Sequence, residues 1–179
     1  DHIDYDRVYS VTDDYSSVEK KSSISIYDQI EKKSKNLWRK SIGSTIEIGS
    51  GTGSFTTAIL KKNNFSNFLI TDISTKMLEL CKERIARLNL QKNNVQFATF
   101  SGQEDCFKNE SFDTCFGIGV VHHICYLPLF FKKINDILKP EGRAFFIEPN
   151  LKFHSALIST VAEIINYLIS TGIKSDDKD

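Results

Sequence analysis

The residues with the clearest chemical potential form a glycine-rich run that opens with an acid, Glu47-Ile48-Gly49-Ser50-Gly51-Thr52-Gly53. It lies between a short apolar strand pattern and a helical pattern. Glycines let the backbone turn tightly and let a ligand approach without a Cβ in the way. Ligands of open α/β sheets bind at the carboxyl ends of strands. The run therefore predicts a nucleotide-type site, with an ordinary strand-to-helix turn as the alternative.

A second acid, Asp72, ends the next strand pattern about 20 residues beyond the glycines, a spacing at which a carboxylate can accept hydrogen bonds from a ribose. The alternative for Asp72 is a helix N-terminal acid that interacts favourably with the helix dipole. Dinucleotide loops follow G-x-G-x-x-G, whose third glycine would fall at Ser54, whereas here it falls at Gly53. This difference counts against a nicotinamide-dependent oxidoreductase, which stays open as an alternative.

Strand and helix patterns alternate along the chain in a way that can position such a site. Strands are predicted over residues 45–48, 68–71, 95–100, 113–120 and 143–147, and helices over 54–62, 75–88 and 127–138. Ser74 is the predicted cap of the second of these helices, and Pro140-Glu141-Gly142 predicts a turn into the fifth strand. Such alternation predicts right-handed βαβ units and a parallel sheet covered on both faces.

Two segments flank this predicted core of residues 41–150. Residues 1–40 combine a helical pattern with Tyr5, Tyr9 and Tyr15 and are predicted to form an N-terminal lid or helical segment. Residues 151–179 are predicted to form a C-terminal helix and a charged tail. The chain begins at Asp1 rather than methionine, which fits a fragment or a domain cut from a longer protein.

The motifs, in this order and spacing, resemble the class I S-adenosylmethionine-dependent methyltransferase family over roughly residues 45–150. The resemblance implies a Rossmann-like, doubly wound α/β fold whose mostly parallel sheet has the strand order 3-2-1-4-5. It also implies S-adenosylmethionine as cofactor and S-adenosylhomocysteine as product. After Asn150 no pair of strand patterns follows, so we expect the terminal strands of the full fold to be missing. A bare fifth-strand edge would then need a homodimer or another partner to cover it.

The resemblance also implies site residues. Glu47 would steady the loop or the cofactor's amino group, Asp72 would take the ribose hydroxyls, and the adenine would lie beside Ile73. Family members often carry an acid where this chain has Gly102, so the adenine amine contact is expected from Gln103 or Glu104. The predicted cofactor-binding residues are Glu47, Gly49, Ser50, Gly51, Gly53, Asp72, Ile73, Gly102, Gln103, Glu104, Gly117 and Ile118.

The candidates for a general base are His122, His123 and Glu148, each with a purely structural alternative. A base is needed only if the acceptor is protonated at the working pH. Family members that methylate base or glutamine amino groups carry an Asn/Asp-Pro-Pro-aromatic motif where this chain has Gly117-Ile118-Gly119-Val120. A small-molecule O-, N- or C-acceptor is therefore favoured. A catalytically silent cofactor-binding or interaction module is the third hypothesis, motivated by the missing strands.

Composition excludes several other functions. The 23 basic residues balance the 23 acidic ones, so there is no overall basic field to hold nucleic acid. No apolar run reaches the ~18 residues of a membrane span. The four cysteines form no C-x-x-C pair, so no metal site is predicted. Free thiols are typical of a reducing, cytoplasmic compartment.

Overall fold

The computed structural model describes residues 43–148, and the chain divides into two compact units, Asp1–Ile147 and Glu148–Asp179. Only Glu148 of the second unit is described. The predicted segments 1–40 and 151–179, and any strand after Asn150, lie outside the described residues. The elements of the first unit, in chain order, are β1 (Ser44–Ile48), α1 (Ser54–Lys62), β2 (Asn67–Asp72), α2 (Thr75–Arg87), β3 (Val95–Thr99), β4 (Phe112–Ile118), a 3₁₀ turn (Val121–His123), α3 (Leu127–Ile137) and β5 (Leu138–Ile147).

The five strands form one sheet in the order β3-β2-β1-β4-β5, and all neighbouring pairs are parallel. This confirms the predicted doubly wound fold and its strand order. Glu47 on β1 lies opposite Ile70 on β2 and Phe116 on β4. Since all strands run the same way, their carboxyl ends share one edge of the sheet, and the loops that leave them meet there.

Helices cover both faces of the sheet because side chains alternate along each strand. On one face, Phe68, Ile70 and Phe116 pack with residues of α1 and α2. On the other, Ile46 and Ile48 pack with residues of α3. The central strand β1 therefore sends alternate side chains into two separate apolar cores, and Glu47 is on the α1 and α2 side, where Thr56 of α1 contacts it.

Helix α2 begins where the sequence predicts it and ends one residue earlier. The Ser74 side chain accepts a hydrogen bond from the Met77 amide at 3.2 Å, which confirms the predicted cap. Met77, Leu78, Cys81 and Ile85 of this helix are buried, whereas Leu88, which follows at the same helical spacing, is not. Leu88 is the C-cap residue and is 40% exposed, because the helical geometry that would direct its side chain inward has already ended.

The region from α3 to β5 differs more from the sequence prediction. On α3, Phe130, Ile134 and Ile137 are buried, whereas Leu127 and Phe131 are 40% and 46% exposed. Strand β5 starts at Leu138 rather than at Arg143. The predicted turn at 140–142 is instead an irregularity inside the strand, where pairing with β4 shifts between Phe112 and Thr114.

None of the helices within residues 43–148 has the length and apolar composition that a membrane crossing requires.

Candidate cofactor-binding site

The glycine loop leaves β1 at the edge of the sheet where the strands end. Gly49, Gly51 and Gly53 all have positive φ angles, of 69°, 53° and 81°, a region that glycine enters without the steric cost other residues meet. The Gly53 amide donates to the Ser50 carbonyl at 3.0 Å, which closes a tight turn directly before α1. The predicted role of glycines in turning the backbone is therefore seen in the structure.

Two hydrogen bonds fasten this loop to the end of β2. The Ser50 amide donates to the Thr71 carbonyl at 2.9 Å. The Gly51 amide donates to Oδ2 of Asp72 at 2.8 Å, and the other carboxylate oxygen accepts from the Ser74 amide at 2.9 Å. The structure thus brings the glycine loop and the carboxylate at position 72 together, as the sequence interpretation requires.

The three glycines differ in the space around them, and this shows which of them pack against the protein and which faces open space. A Cβ built at Gly53 would lie 2.6 Å from Sγ of Cys81, and one at Gly49 would lie 2.6 Å from the Val120 side chain. Both positions are thus filled by the protein itself. At Gly51, apart from its own chain neighbours, no atom of residues 43–148 lies within 4 Å of such a Cβ. The middle of the loop therefore faces open space, where a ligand can approach the backbone.

A buried polar cluster lies behind the loop and is centred on Glu47, which is 2% exposed. Its Oε2 accepts a hydrogen bond from Oγ1 of Thr56 at 2.8 Å, and Thr56 in turn has the Cys81 thiol 4.0 Å away. Burial raises the pKa of Glu47 to about 8; the Thr56 hydrogen bond opposes this and the charge of Asp72 adds to it. Glu47 is therefore largely a neutral acid at pH 7.

Ser50 supplies an orphaned polar atom in the same place. Its hydroxyl is buried and makes no hydrogen bond to a nitrogen or oxygen atom within residues 43–148. Its polar neighbour is Cys81: burial raises the pKa of that thiol to about 12, and the Thr56 and Ser50 hydroxyls partly oppose the rise. A buried hydroxyl without a strong partner costs stability. Together with the open space at Gly51, it fits a loop that holds a polar ligand.

The loop after β3 lies beside this site, because the Phe100 amide donates to the Asp72 carbonyl at 3.0 Å. A Cβ at Gly102 would lie 2.6 Å from the Phe130 ring, so the acid that the family often carries there has no room. Glu104 accepts hydrogen bonds from the Ser101 amide at 3.0 Å and the Gln103 amide at 3.3 Å. Its carboxylate thus shapes the loop.

The other predicted residues are distributed around the same edge. Ile73 is 38% exposed next to Asp72. A Cβ built at Gly117 would lie 2.9 Å from the Ile48 carbonyl oxygen and 2.6 Å from the Val120 side chain. Ile118 is partly buried and packs against the α1 and α2 core. Their roles toward a cofactor stay predictions.

The histidine pair lies on the 3₁₀ turn that follows β4, with ring centroids 4.0 Å apart. Glu148 follows β5 directly along the chain and belongs to the second unit. Within residues 43–148 no group of three or more His, Cys, Asp or Glu side chains is arranged to hold a metal ion. The roles of His122, His123 and Glu148 as bases stay predictions.

A sequence profile described as a methyltransferase domain matches residues 46–144, more than half of the chain. The chain belongs to the methyltransferase domain family. This confirms the family recognised from the sequence, and it argues against the nicotinamide-dependent alternative. The matched residues include the glycine loop, Asp72 and the loop after β3.

Individual proteins agree with the family match. The chain is 33% identical over 110 residues to the highly reducing polyketide synthase easB of Emericella nidulans, an alignment that covers 58% of this chain and 4% of that protein. A candidate S-adenosyl-L-methionine-dependent methyltransferase of Methanococcus maripaludis has a TM-score of 0.59 at 20% identity, covering 85% of this chain and 84% of its own.

A further solved structure is that of Haemonchus contortus phosphoethanolamine N-methyltransferase 2 in complex with S-adenosyl-L-methionine. It has a TM-score of 0.58 at 23% identity, covering 67% of this chain and 27% of its own. These likenesses show a shared class I methyltransferase fold. The chain spans only a small part of the curated relatives that it matches, for example 4% of the polyketide synthase easB.

Sequence reasoning missed three residues that complete the site: Thr56, Cys81 in its polar role, and Val120. Thr56 is fully buried on α1 and holds Glu47, and Val120 fills the space beside Gly49 and Gly117. A polar residue on the apolar side of a helix next to an acid-bearing strand is a readable signal for Thr56. No local pattern marks Val120, because its contacts join segments about 70 residues apart.

The neutral state of Glu47 has a measurable consequence for stability. Its folded pKa of about 8 exceeds the ordinary value of 4.5, so between those pH values the folded chain holds a proton that the unfolded chain has lost. Stability from this group is complete below the ordinary pKa and is lost as pH rises through 8, by at most about 1.4 kcal/mol per pH unit.

We expect Glu47→Gln to remove this loss, because the amide keeps the shape and the Thr56 contact without titrating. The measurement is urea unfolding of both proteins at pH 6, 7 and 8, read as the difference in slope. Glu79→Gln, on α2, is the matched control and should keep the wild-type slope. Equal slopes for wild type and Glu47→Gln would show that Glu47 is ionised when the chain is folded.

Proposed function

We propose that this chain binds S-adenosylmethionine at the carboxyl ends of β1, β2 and β4 and transfers its methyl group to a small-molecule acceptor. One observation carries the proposal: the glycine loop and the Asp72 carboxylate converge, joined by the 2.8 Å hydrogen bond from the Gly51 amide. Membership of the methyltransferase family supports it. So does the likeness to a methyltransferase solved with S-adenosyl-L-methionine.

The residues present fit this cofactor. Asp72 would accept hydrogen bonds from the ribose hydroxyls, a role compatible with its two backbone bonds because a carboxylate has about four acceptor sites. The open backbone at Gly51 and the orphaned Ser50 hydroxyl would hold polar groups of the methionine part. Gly49, Gly53, Gly117 and Ile118 would shape the walls through the packing described above.

S-adenosylmethionine supplies a methyl group that its sulfonium already activates. The protein's task is then to orient the acceptor and exclude water, and well-oriented reactants can gain about 7–11 kcal/mol from such positioning. His122 and His123, on the turn after β4, would take a proton from an acceptor that is protonated at the working pH. Glu148 is the other candidate for that role.

For the adenine amine, we favour Gln103 over Glu104. Glu104 is committed to its own loop: partial burial would raise its pKa, but hydrogen bonds from the Ser101 side chain and from the loop's backbone amides outweigh this and hold its pKa below the usual value. Gln103 makes its described hydrogen bonds through its backbone amide. A carboxamide can accept from an amine and donate to a ring nitrogen at once, which suits the edge of adenine.

We further propose a small metabolite or biosynthetic intermediate as the acceptor and the cytoplasm as the compartment. A polyketide synthase among the relatives supports the first point. Four free cysteines support a reducing compartment. Strand β5 is at the edge of the described sheet, and a second copy or another partner would cover it.

The first test of the proposal is calorimetric titration of the full chain with S-adenosylhomocysteine. We expect binding, and Asp72→Ala should weaken it by about 1–3 kcal/mol because it leaves polar groups unpaired. Asp113→Ala is the matched control. Asp113 also accepts a backbone hydrogen bond, from Ser44, but at the opposite edge of the sheet, so its loss should lower stability and leave affinity unchanged. Absence of binding to cooperatively folded protein would sink the proposal.

The role of Gln103 is tested with two ligands that differ only at the purine edge, 5′-methylthioadenosine and 5′-methylthioinosine, in which a 6-oxo group and a protonated N1 replace the adenine amine and its acceptor N1. We expect the wild-type chain to prefer the former by about 0.5–1.5 kcal/mol, the net worth of a hydrogen bond. Gln103→Ala should lose the preference and Glu104→Gln should keep it. If only Glu104→Gln abolishes discrimination, the contact belongs to Glu104.

Catalysis itself is tested by incubating the chain with methyl-labelled S-adenosylmethionine and a pool of small metabolites. We expect label to enter a small molecule, and His122→Ala with His123→Ala to lower the rate by about 10²–10⁴-fold where the acceptor needs a base. Ser111→Ala is the control, because Ser111 and the histidines lie at opposite ends of β4. Cofactor binding without any labelled product would instead identify the catalytically silent module.

A further inference from the structure

The polar cluster behind the glycine loop contains a carboxyl group without a cation. Glu47 is 2% exposed, its one side-chain hydrogen bond in the described part of the chain comes from Thr56, and none of the ion pairs found there involves it. A buried carboxylate with no positive partner is costly, so such a group keeps its proton. This protonated carboxyl group lies two residues before Gly49, the first glycine of the loop that we assign to the cofactor.

The groups around Glu47 explain why a negative charge on its carboxylate would not be compensated. From β2, Asp72 contributes another negative charge, and from α2 the thiol of Cys81 is held neutral by burial. Arg84, also on α2, directs its guanidinium to the Ser54 hydroxyl at 2.8 Å. From β4, Phe116 lies opposite Glu47 and brings no charge. Ionisation of Glu47 therefore becomes more favourable once a positive charge enters the site.

Resting on the proposed function, we propose that Glu47 is the residue that distinguishes the cationic methyl donor from its neutral product, by giving up its proton when the donor binds and regaining it when the product is formed. The carboxyl O–H bond breaks, its electron pair stays on the carboxylate oxygen, and the proton passes to solvent. The reverse step takes a proton from solvent after the methyl group and its positive charge have left.

The reason is electrostatic linkage. S-adenosylmethionine carries a formal positive charge on sulfur, whereas the sulfur of S-adenosylhomocysteine is neutral. A ligand shifts an equilibrium only by its different affinity for the two states, and the effect is reciprocal. A donor that favours ionised Glu47 must therefore bind more tightly as pH rises towards 8, where Glu47 titrates in the ligand-free chain. The product lacks the charge on sulfur and therefore has no preference from this source.

The experiment is calorimetric titration of the full chain with each ligand between pH 6 and 8, in two buffers of different ionisation enthalpy, which counts protons released. For S-adenosylmethionine we expect Glu47 to release most of one proton near pH 7 and affinity to rise by up to about tenfold per pH unit. For S-adenosylhomocysteine we expect neither. The ligands' own amino groups also titrate, and their contribution is measured in Glu47→Gln and subtracted.

Two variants of Thr56 give an independent readout. The Thr56 hydroxyl lowers the pKa of Glu47, so Thr56→Val should move the pH at which donor affinity rises to a higher value. Thr56→Ser, which keeps the hydroxyl, should leave it in place. These variants carry the test if Glu47→Gln does not fold.

The outcomes separate the two proposals. If both ligands bind and donor binding releases no more protons in wild type than in Glu47→Gln, the inference is overturned and the proposed function stands. If the Thr56 variants shift the profile equally, Glu47 is not the group that titrates, and the inference is likewise overturned. If neither ligand binds the folded chain, the proposed function fails and the inference fails with it.

Discussion

The Asp72 carboxylate ties the glycine loop to the end of β2, and the rest of the site depends on this link. One oxygen holds the Gly51 amide and the other holds the Ser74 amide at the start of α2. The same side chain therefore fixes the loop after β1 and the loop after β2 relative to each other. Backbone amides without a partner are costly when buried, so the carboxylate contributes to folding whether or not a ligand is present.

This arrangement places structural and functional demands on one residue. A site that is shaped before its ligand arrives loses less conformational freedom on binding, and the Gly51 backbone faces open space while it is already held. At Glu47, in contrast, the site costs stability. A buried acid beside another acid gives up stability, and such local costs are often found at functional sites.

Family and fold together limit what this chain does, but the acceptor depends on finer detail. Proteins of one fold perform different reactions, and function resides in the side chains placed on the fold. Here the cofactor edge is built from residues that pack against one another, such as Val120 against Gly49 and Gly117 and Phe130 against Gly102. That packing leaves no room for an acid at position 102. The neighbouring Gln103 is therefore the residue that we propose for the adenine amine.

Much of the fold followed from local patterns. Alternating strands and helices, the Ser74 cap and the positive-φ glycines were predictable because each depends on residues close in sequence. The same holds for the pairing of the loop with Asp72, which the topology of a parallel sheet requires. Less predictable were the exposed sides of α3 and the irregular start of β5, where helical period alone does not tell which neighbour covers a face.

The sequence by itself therefore determined the fold class and the residues at the loop and at position 72, since these depend on order and spacing along the chain. The strand order followed from the family that these motifs resemble. Only the tertiary structure decided that Glu47 is a buried, uncharged acid held by Thr56, because solvent exclusion and neighbouring charge come from segments brought together by folding. Ionisation depends on the surroundings in space, and no pattern along the chain records them.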